Sequence, residues 1–107
     1  MDLSVKNTLS VVIPTFNEEG NIELLYNKLR ETIDPLGLEA LEVIFVDDGS
    51  HDDSLKIIKR LATNDTQVKY ISFSRNFGHQ LALKAGLDHA RFQGVISLDA
   101  DLQHPVD

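Results

Sequence analysis

Leu41-Glu42-Val43-Ile44-Phe45-Val46-Asp47-Asp48-Gly49-Ser50 decides the fold. Apolar residues run unbroken from Val43 to Val46 and stop at two adjacent acids, a glycine and a serine. A short β-branched and aromatic run of this kind reads as a strand buried on both faces. Ser50 with Asp53 three residues on has the spacing of a capping box with an acid variant at its third position, which predicts a helix start. Leu55, Ile58, Leu61 and Ala62 then follow at helical spacing, and the pattern frays at Asn64-Asp65. Strand, acidic turn and helix follow one another within about two dozen residues, the grammar of a βαβ unit.

The same grammar repeats on either side. Leu9-Ser10-Val11-Val12-Ile13 is a strand closed by Pro14. Asn17 stands before Glu18 and Glu19 as an N-cap with acids in the first turn. Ile22, Leu25, Tyr26, Leu29 and Ile33 line one helix face, and Asp34-Pro35-Leu36-Gly37 ends it. Val68 to Phe73 alternates as a third strand, followed by the polar turn Ser74-Arg75-Asn76-Phe77-Gly78-His79. A third helix is expected over roughly 79 to 92, more buried than the other two because its apolar residues fall on more than one face. Gly94 opens a fourth strand, Val95-Ile96-Ser97-Leu98, which runs into Asp99-Ala100-Asp101-Leu102-Gln103-His104.

The order β-α-β-α-β-α-β implies an α/β fold, a mainly parallel sheet with helices on both faces and right-handed crossovers. Ligands of such sheets bind beyond the carboxyl ends of the strands. Pro14 to Glu18, Asp47 to Ser50, Ser74 to His79 and Asp99 to His104 all fall there. With no internal repeat or linker, the chain reads as one domain over residues 1–107.

Composition narrows the function. A net charge of −7 argues against broad binding to nucleic-acid phosphates or to anionic membrane surfaces. The absence of cysteine excludes a disulfide scaffold and a thiolate metal site. The polar start Met1-Asp2-Leu3-Ser4 has no signal-peptide character, and no apolar run approaches the roughly 20 residues of a membrane helix. The chain is therefore expected to be cytoplasmic. No Gly-x-Gly-x-x-Gly follows the first strand, no P-loop is present, and a serine nucleophile elbow is missing.

Asp99 and Asp101 at alternate positions beyond a strand suit a hard divalent cation, Mg²⁺ or Mn²⁺, with Gln103 completing an oxygen shell against a diphosphate. A solvated loop with two acids is the plainer alternative. Asp47 and Asp48 beside Gly49 can accept hydrogen bonds from a base and a ribose, while helix capping alone accounts for Ser50, Asp52 and Asp53 and needs neither acid. Phe16 either stacks on a base or packs. Arg75 contacts a phosphate or holds the acids in place. The histidines share no zinc spacing, and His51 and His89 are expected on solvated helix faces.

Taken together, Val11-Val12-Ile13-Pro14-Thr15-Phe16-Asn17-Glu18, Val46-Asp47-Asp48-Gly49-Ser50-His51-Asp52, Arg75-Asn76-Phe77-Gly78 and Asp99-Ala100-Asp101-Leu102-Gln103 resemble family 2 glycosyltransferases, which have the Rossmann-like GT-A fold. Ser74 to Gln80 and Asp99 to Pro105 look most like the branch of dolichol-phosphate mannose synthase and bacterial polyprenyl-phosphate glycosyltransferases, enzymes of lipid-linked sugar biosynthesis. The resemblance implies inverting transfer from a nucleotide-diphosphate sugar to a polyprenyl phosphate. It places Pro14, Phe16 and Glu18 along the nucleotide, Asp47 at the base and Asp48 near the ribose. Arg75 and Ala100 join the nucleotide site, Asp99 lies near ribose and metal, and Asp101 and Gln103 help bind Mg²⁺ or Mn²⁺. Asp99 and Asp101 would be the catalytic pair. It also implies that this chain is the donor-binding N-terminal part of a longer enzyme, incomplete for catalysis by itself. The parent would be anchored at the cytoplasmic face of a membrane. A receiver-like signalling domain and a sugar-1-phosphate nucleotidyltransferase are the alternatives. The first would carry its acid pair after the first strand and a phosphoacceptor Asp after the third, which here ends at Ser74-Arg75; the second would carry a basic, glycine-rich loop after the first strand, where this chain has the acidic Pro14 to Glu18.

Overall fold

The structure, a computed structural model, describes residues 7–100. Four strands, β1 (Thr8–Thr15), β2 (Ala40–Asp47), β3 (Val68–Ser72) and β4 (Gly94–Ser97), form one parallel sheet in the order β3-β2-β1-β4. The crossovers are α1 (Ile22–Ile33) with a 3₁₀ turn at Asp34–Leu36, α2 (Ser54–Asn64) and α3 (His79–His89). Strand order reverses between β2 and β4 at β1, which creates a crevice at the carboxyl end of β1.

Alternation along the strands sorts the core into two layers. Val11, Ile13, Val43 and Phe45 face α1 and α2, where they meet Ile22, Leu25, Leu29, Ile33 and Ile58. Val12, Ile44 and Val46 face α3 and meet Ala82. The periodic residues of α1 bury as their spacing predicts. Tyr26, half-buried beside them, donates its hydroxyl to Asp65, and burial together with that carboxylate pushes the phenol up to about 12. Burial of the large core side chains stabilises the sheet by roughly 1.5–3 kcal/mol each.

Two expectations about the helices fail. Asn17 and Ser50 do not cap their own helices: α1 begins at Ile22 and α2 at Ser54, and neither has a side-chain cap bond. Their polar atoms serve contacts between loops, which local spacing does not reveal. The third helix is also shorter than expected, and only Ala82 and Gly86 within it are buried, while Leu81 and Leu87 are exposed. Among the described residues α3 is alone on its face of the sheet, so one side of it packs and the rest meets solvent. It lies close: a Cβ built on Gly86 would sit 2.2 Å from Val12 Cγ1.

Candidate functional site

A cavity of about 260 Å³ opens at the carboxyl edge of the sheet. The end of β1 supplies Pro14, Thr15 and Phe16, with Glu18 just beyond, and β2 leads to Asp48. The turn into α3 brings Asn76, Gly78 and His79, and the segment after β4 brings Asp99 and Ala100. The cavity therefore unites Pro14, Phe16, Glu18, Asp48, Asp99 and Ala100 from the sequence-derived set. Asp47 and Arg75 do not line it. Asp101 and Gln103 lie outside the described residues.

The loops after β1 and β2 form one braced body. Ser50 Oγ accepts from the Asn17 amide at 2.9 Å, and Asn17 Oδ1 accepts from the His51 amide at 2.8 Å. Ser54 Oγ accepts from the Glu18 amide at 2.8 Å. Asp52 accepts from the Glu19 and Ser54 amides, and Glu19 Oε1 from the Asp53 amide. Asn17 reaches its partners at φ +53°, a left-handed conformation that asparagine tolerates. Burial opposes the charge on Asp52, but the Ser54 hydroxyl and the Ser54 and Glu19 amides outweigh it and hold the carboxyl below its usual range. His51, expected on a helix face, instead lies in this loop with its ring edge-on to Phe16.

The two adjacent acids have different surroundings. Asp47 points toward the α1–α2 layer and is only 2% exposed. Its Oδ2 accepts from the Ser50 amide at 3.2 Å, and its buried Oδ1 has no hydrogen-bond partner among the described residues. Asp48 accepts from the Phe77 amide at 2.7 Å, the Gly78 amide at 3.0 Å and the Asn76 side-chain amide at 3.2 Å. Both acids thus hold local structure, Asp47 at the Ser50 amide and Asp48 at the β3–α3 turn. Gly49 makes the Asp48 clamp sterically possible: it sits at φ +73°, and a Cβ there would lie 2.2 Å from the Arg75 carbonyl carbon. The β3–α3 turn crosses directly over it.

Asp99 is highly exposed, and His79 Nε2 lies 3.6 Å from its Oδ1 across the cavity. His79 is placed by the sequence at the ligand-binding edge, at the end of Ser74 to His79, but is given no role there; its position directly after Gly78, at the start of a helix following a strand, was the available signal. Arg75 stacks its guanidinium 4.6 Å above the Phe77 ring, which in turn meets Phe73 edge-on. Glu18, Asp48 and Asp99 make the cavity wall acidic, so an anionic ligand here needs a cation between it and the protein. Among the described residues no group of three or more His, Cys, Asp or Glu could hold a metal. Asp99 still supplies an exposed hard oxygen ligand, which fits Mg²⁺ or Mn²⁺ shared with ligand phosphates.

The family model for glycosyl transferase family 2 matches residues 10–107. The chain is 44% identical over 99 residues to the prophage bactoprenol glucosyl transferase homolog of Escherichia coli (strain K12). It is 46% identical over 99 residues to the bactoprenol glucosyl transferase of Shigella phage SfV. Each alignment covers 92% of this chain and 32% of the relative, so the chain spans about a third of the length of these proteins. Among solved structures, it is similar to the mannosyltransferase PcManGT of Pyrobaculum calidifontis in complex with GDP-Man and Mn²⁺. The TM-score is 0.76 at 27% identity, over 92% of this chain and 28% of that one. Staphylococcus aureus TarS 1-349 in complex with UDP matches with a TM-score of 0.70 at 29% identity, over 88% of this chain and 27% of that one.

Proposed function

The chain belongs to glycosyl transferase family 2, and from that premise we propose that it forms the nucleotide-sugar-binding side of an inverting glycosyltransferase. The acceptor is a polyprenyl phosphate, a reading supported by the two relatives named for bactoprenol. The observation that carries the donor assignment is the acidic cavity at the strand-order reversal, walled by Phe16, Asp48, Asp99 and Ala100. Complexes of similar folds with UDP and with GDP-Man and Mn²⁺ support a nucleotide donor and a divalent ion.

In this reading Pro14, Phe16 and Glu18 border the nucleotide, with the half-exposed Phe16 ring available to stack on the base. Asp48 holds the β3–α3 turn and, since Oδ1 accepts only from the Phe77 amide, has a lone pair there for a further hydrogen bond from the nucleoside. Asp47 works from beneath, fixing Ser50 and with it the two braced loops. Asp99, with Asp101 and Gln103, would hold Mg²⁺ or Mn²⁺, which when bound would neutralise charge on the diphosphate. The acceptor needs no strong general base, because a phosphate monoester with a second pKa of about 6 is largely ionised near neutrality. Among the described residues no helix is long and apolar enough to cross a membrane.

Calorimetric titration with UDP and GDP, with and without Mn²⁺, tests the reading. Metal-dependent binding that disappears in Asp99→Ala and Asp101→Ala is the expected result. Absence of binding by any nucleoside diphosphate, with or without metal, overturns it.

A further inference from the structure

At the opposite end of the sheet from the cavity, a carboxylate with no part in the proposed chemistry is almost completely buried. Glu42 of β2 is 1% exposed and receives four donors from three segments. Its Oε2 accepts from Ser10 Oγ of β1 at 2.6 Å and from the Arg91 amide at 2.8 Å. Its Oε1 accepts from Lys69 Nζ of β3 at 3.0 Å and from Arg91 Nε at 3.3 Å. Ser10 Oγ, placed by Glu42, accepts in turn from the Phe92 amide at 3.2 Å, and Thr8 Oγ1 accepts from the Gln93 amide at 3.1 Å. Three successive backbone amides just before β4 are therefore held by side chains of β1 and β2.

β4 needs such a hold. It is four residues long and pairs with β1 alone among the described strands, from Leu9↔Gly94 to Val12↔Ser97. Val95 and Ile96 point to opposite faces and are 40% and 43% exposed, so burial gives little preference between registers. A slip of two residues would preserve the facing of every side chain and move Asp99 by about 6.6 Å. That displacement would take Asp99 out of reach of the cavity wall it shares with His79.

We propose that Glu42 is a positioning residue for Asp99: by anchoring Arg91 and Phe92, it sets where β4 enters the sheet and so where Asp99 leaves it. Glu42 itself stands six residues before Asp48, about 20 Å from that cavity residue along the chain, and touches no ligand. The inference rests on Asp99 being part of the donor and metal site.

Glu42→Gln tests it, because the amide keeps the shape but has one acceptor oxygen, so either the Ser10 hydroxyl and Arg91 amide or the Lys69 and Arg91 side chains are left facing an NH2 group. Amide hydrogen exchange reads the register: the Leu98 amide bonds to the Val12 carbonyl, and the Phe73 amide bonds to the Asp47 carbonyl at the opposite flank. In Glu42→Gln the Leu98 amide should exchange at least about tenfold faster, with Phe73 changing less than about threefold. The Mn²⁺-dependent gain in UDP or GDP affinity should fall about tenfold, with metal-free affinity held within about twofold. Ser10→Ala removes the Phe92 acceptor and should give the same contrast at smaller size, which covers the case where Glu42→Gln does not fold. Unchanged exchange at Leu98 overturns the proposal. Equal acceleration at Leu98 and Phe73, with both affinities falling together, also overturns it, since that is a general brace. If the unsubstituted protein binds no nucleoside diphosphate, the donor-site reading fails and the Leu98 contrast alone decides the role of Glu42.

Discussion

β2 and β4 flank β1 on its two sides, run parallel to it and end beside the same cavity. β2 is buried from Leu41 to Asp47, whereas Val95 and Ile96 of β4 are exposed on both faces. The acids at their ends differ in the same way. Asp48 is tied down by two backbone amides and a side-chain amide, while Asp99 is exposed with His79 at 3.6 Å. One wall of the cavity is built by packing and hydrogen bonds before any ligand arrives. The other is held by a short ladder and the contacts at its entry. Substitutions in the turn that follows β2 should therefore cost stability, and substitution of Asp99 beyond β4 should cost ligand binding.

The largest effect is expected at Gly49. Alanine there combines a positive φ with a Cβ driven into the backbone of Arg75, a loss of roughly 4 kcal/mol or more. Urea denaturation should show it as a lower midpoint at unchanged slope, and a midpoint like that of the parent would break the picture of a pre-packed wall.

Next comes acid. Ser10, the Arg91 amide and Lys69 overcome the effect of burial and hold the Glu42 carboxyl down at about 2, against an ordinary value of 4.5. A depressed acid stabilises the fold above its unfolded pKa and loses that contribution as pH falls toward the folded value, here between about 4.5 and 2. Thermal melts across that window should show a shallower acid limb in Glu42→Gln than in the parent, and parallel limbs would count against it.

Asp48→Asn should cost about 2 kcal/mol, because the amide cannot accept from both the Phe77 and Gly78 amides. Chemical shifts of those two amides are the direct readout, and unmoved resonances would show that the clamp is not made in solution.

The smallest stability change is expected on β4. Ile96→Thr and Asp99→Ala should each stay within about 0.5 kcal/mol of the parent, with Asp99→Ala alone abolishing the Mn²⁺-dependent part of nucleotide binding. A large destabilisation by Ile96→Thr would erase the distinction between the two flanks.

Much of this was legible in the chain itself. The strands could be read because Val11 to Ile13 and Val43 to Val46 are continuous apolar runs, which only a strand buried on both faces requires. α1 could be read from one stripe at Ile22, Leu25, Leu29 and Ile33. Helix starts were misplaced because Asn17 and Ser50 have the chemistry of caps but spend it on each other's loops, 33 residues apart. The burial of α3 was overestimated because leucines on several faces indicate apolarity and do not reveal whether a second layer covers them. His79 was placed at the ligand-binding edge without a role for a similar reason: it faces Asp99, twenty positions away.

The sequence by itself determined the alternation of strands and helices, the parallel sheet and the gathering of Pro14, Phe16, Glu18, Asp48, Asp99 and Ala100 at one edge. Periodicity and turn residues are local, and right-handed crossovers leave few ways to assemble them. Only the tertiary structure decided what each acid does. Asp47, Asp48, Glu42 and Asp99 are alike as carboxyl groups, and burial and the donors that reach them from distant segments separate a buried loop anchor, a turn clamp, a multiply bonded buried acid and an exposed carboxylate at the cavity.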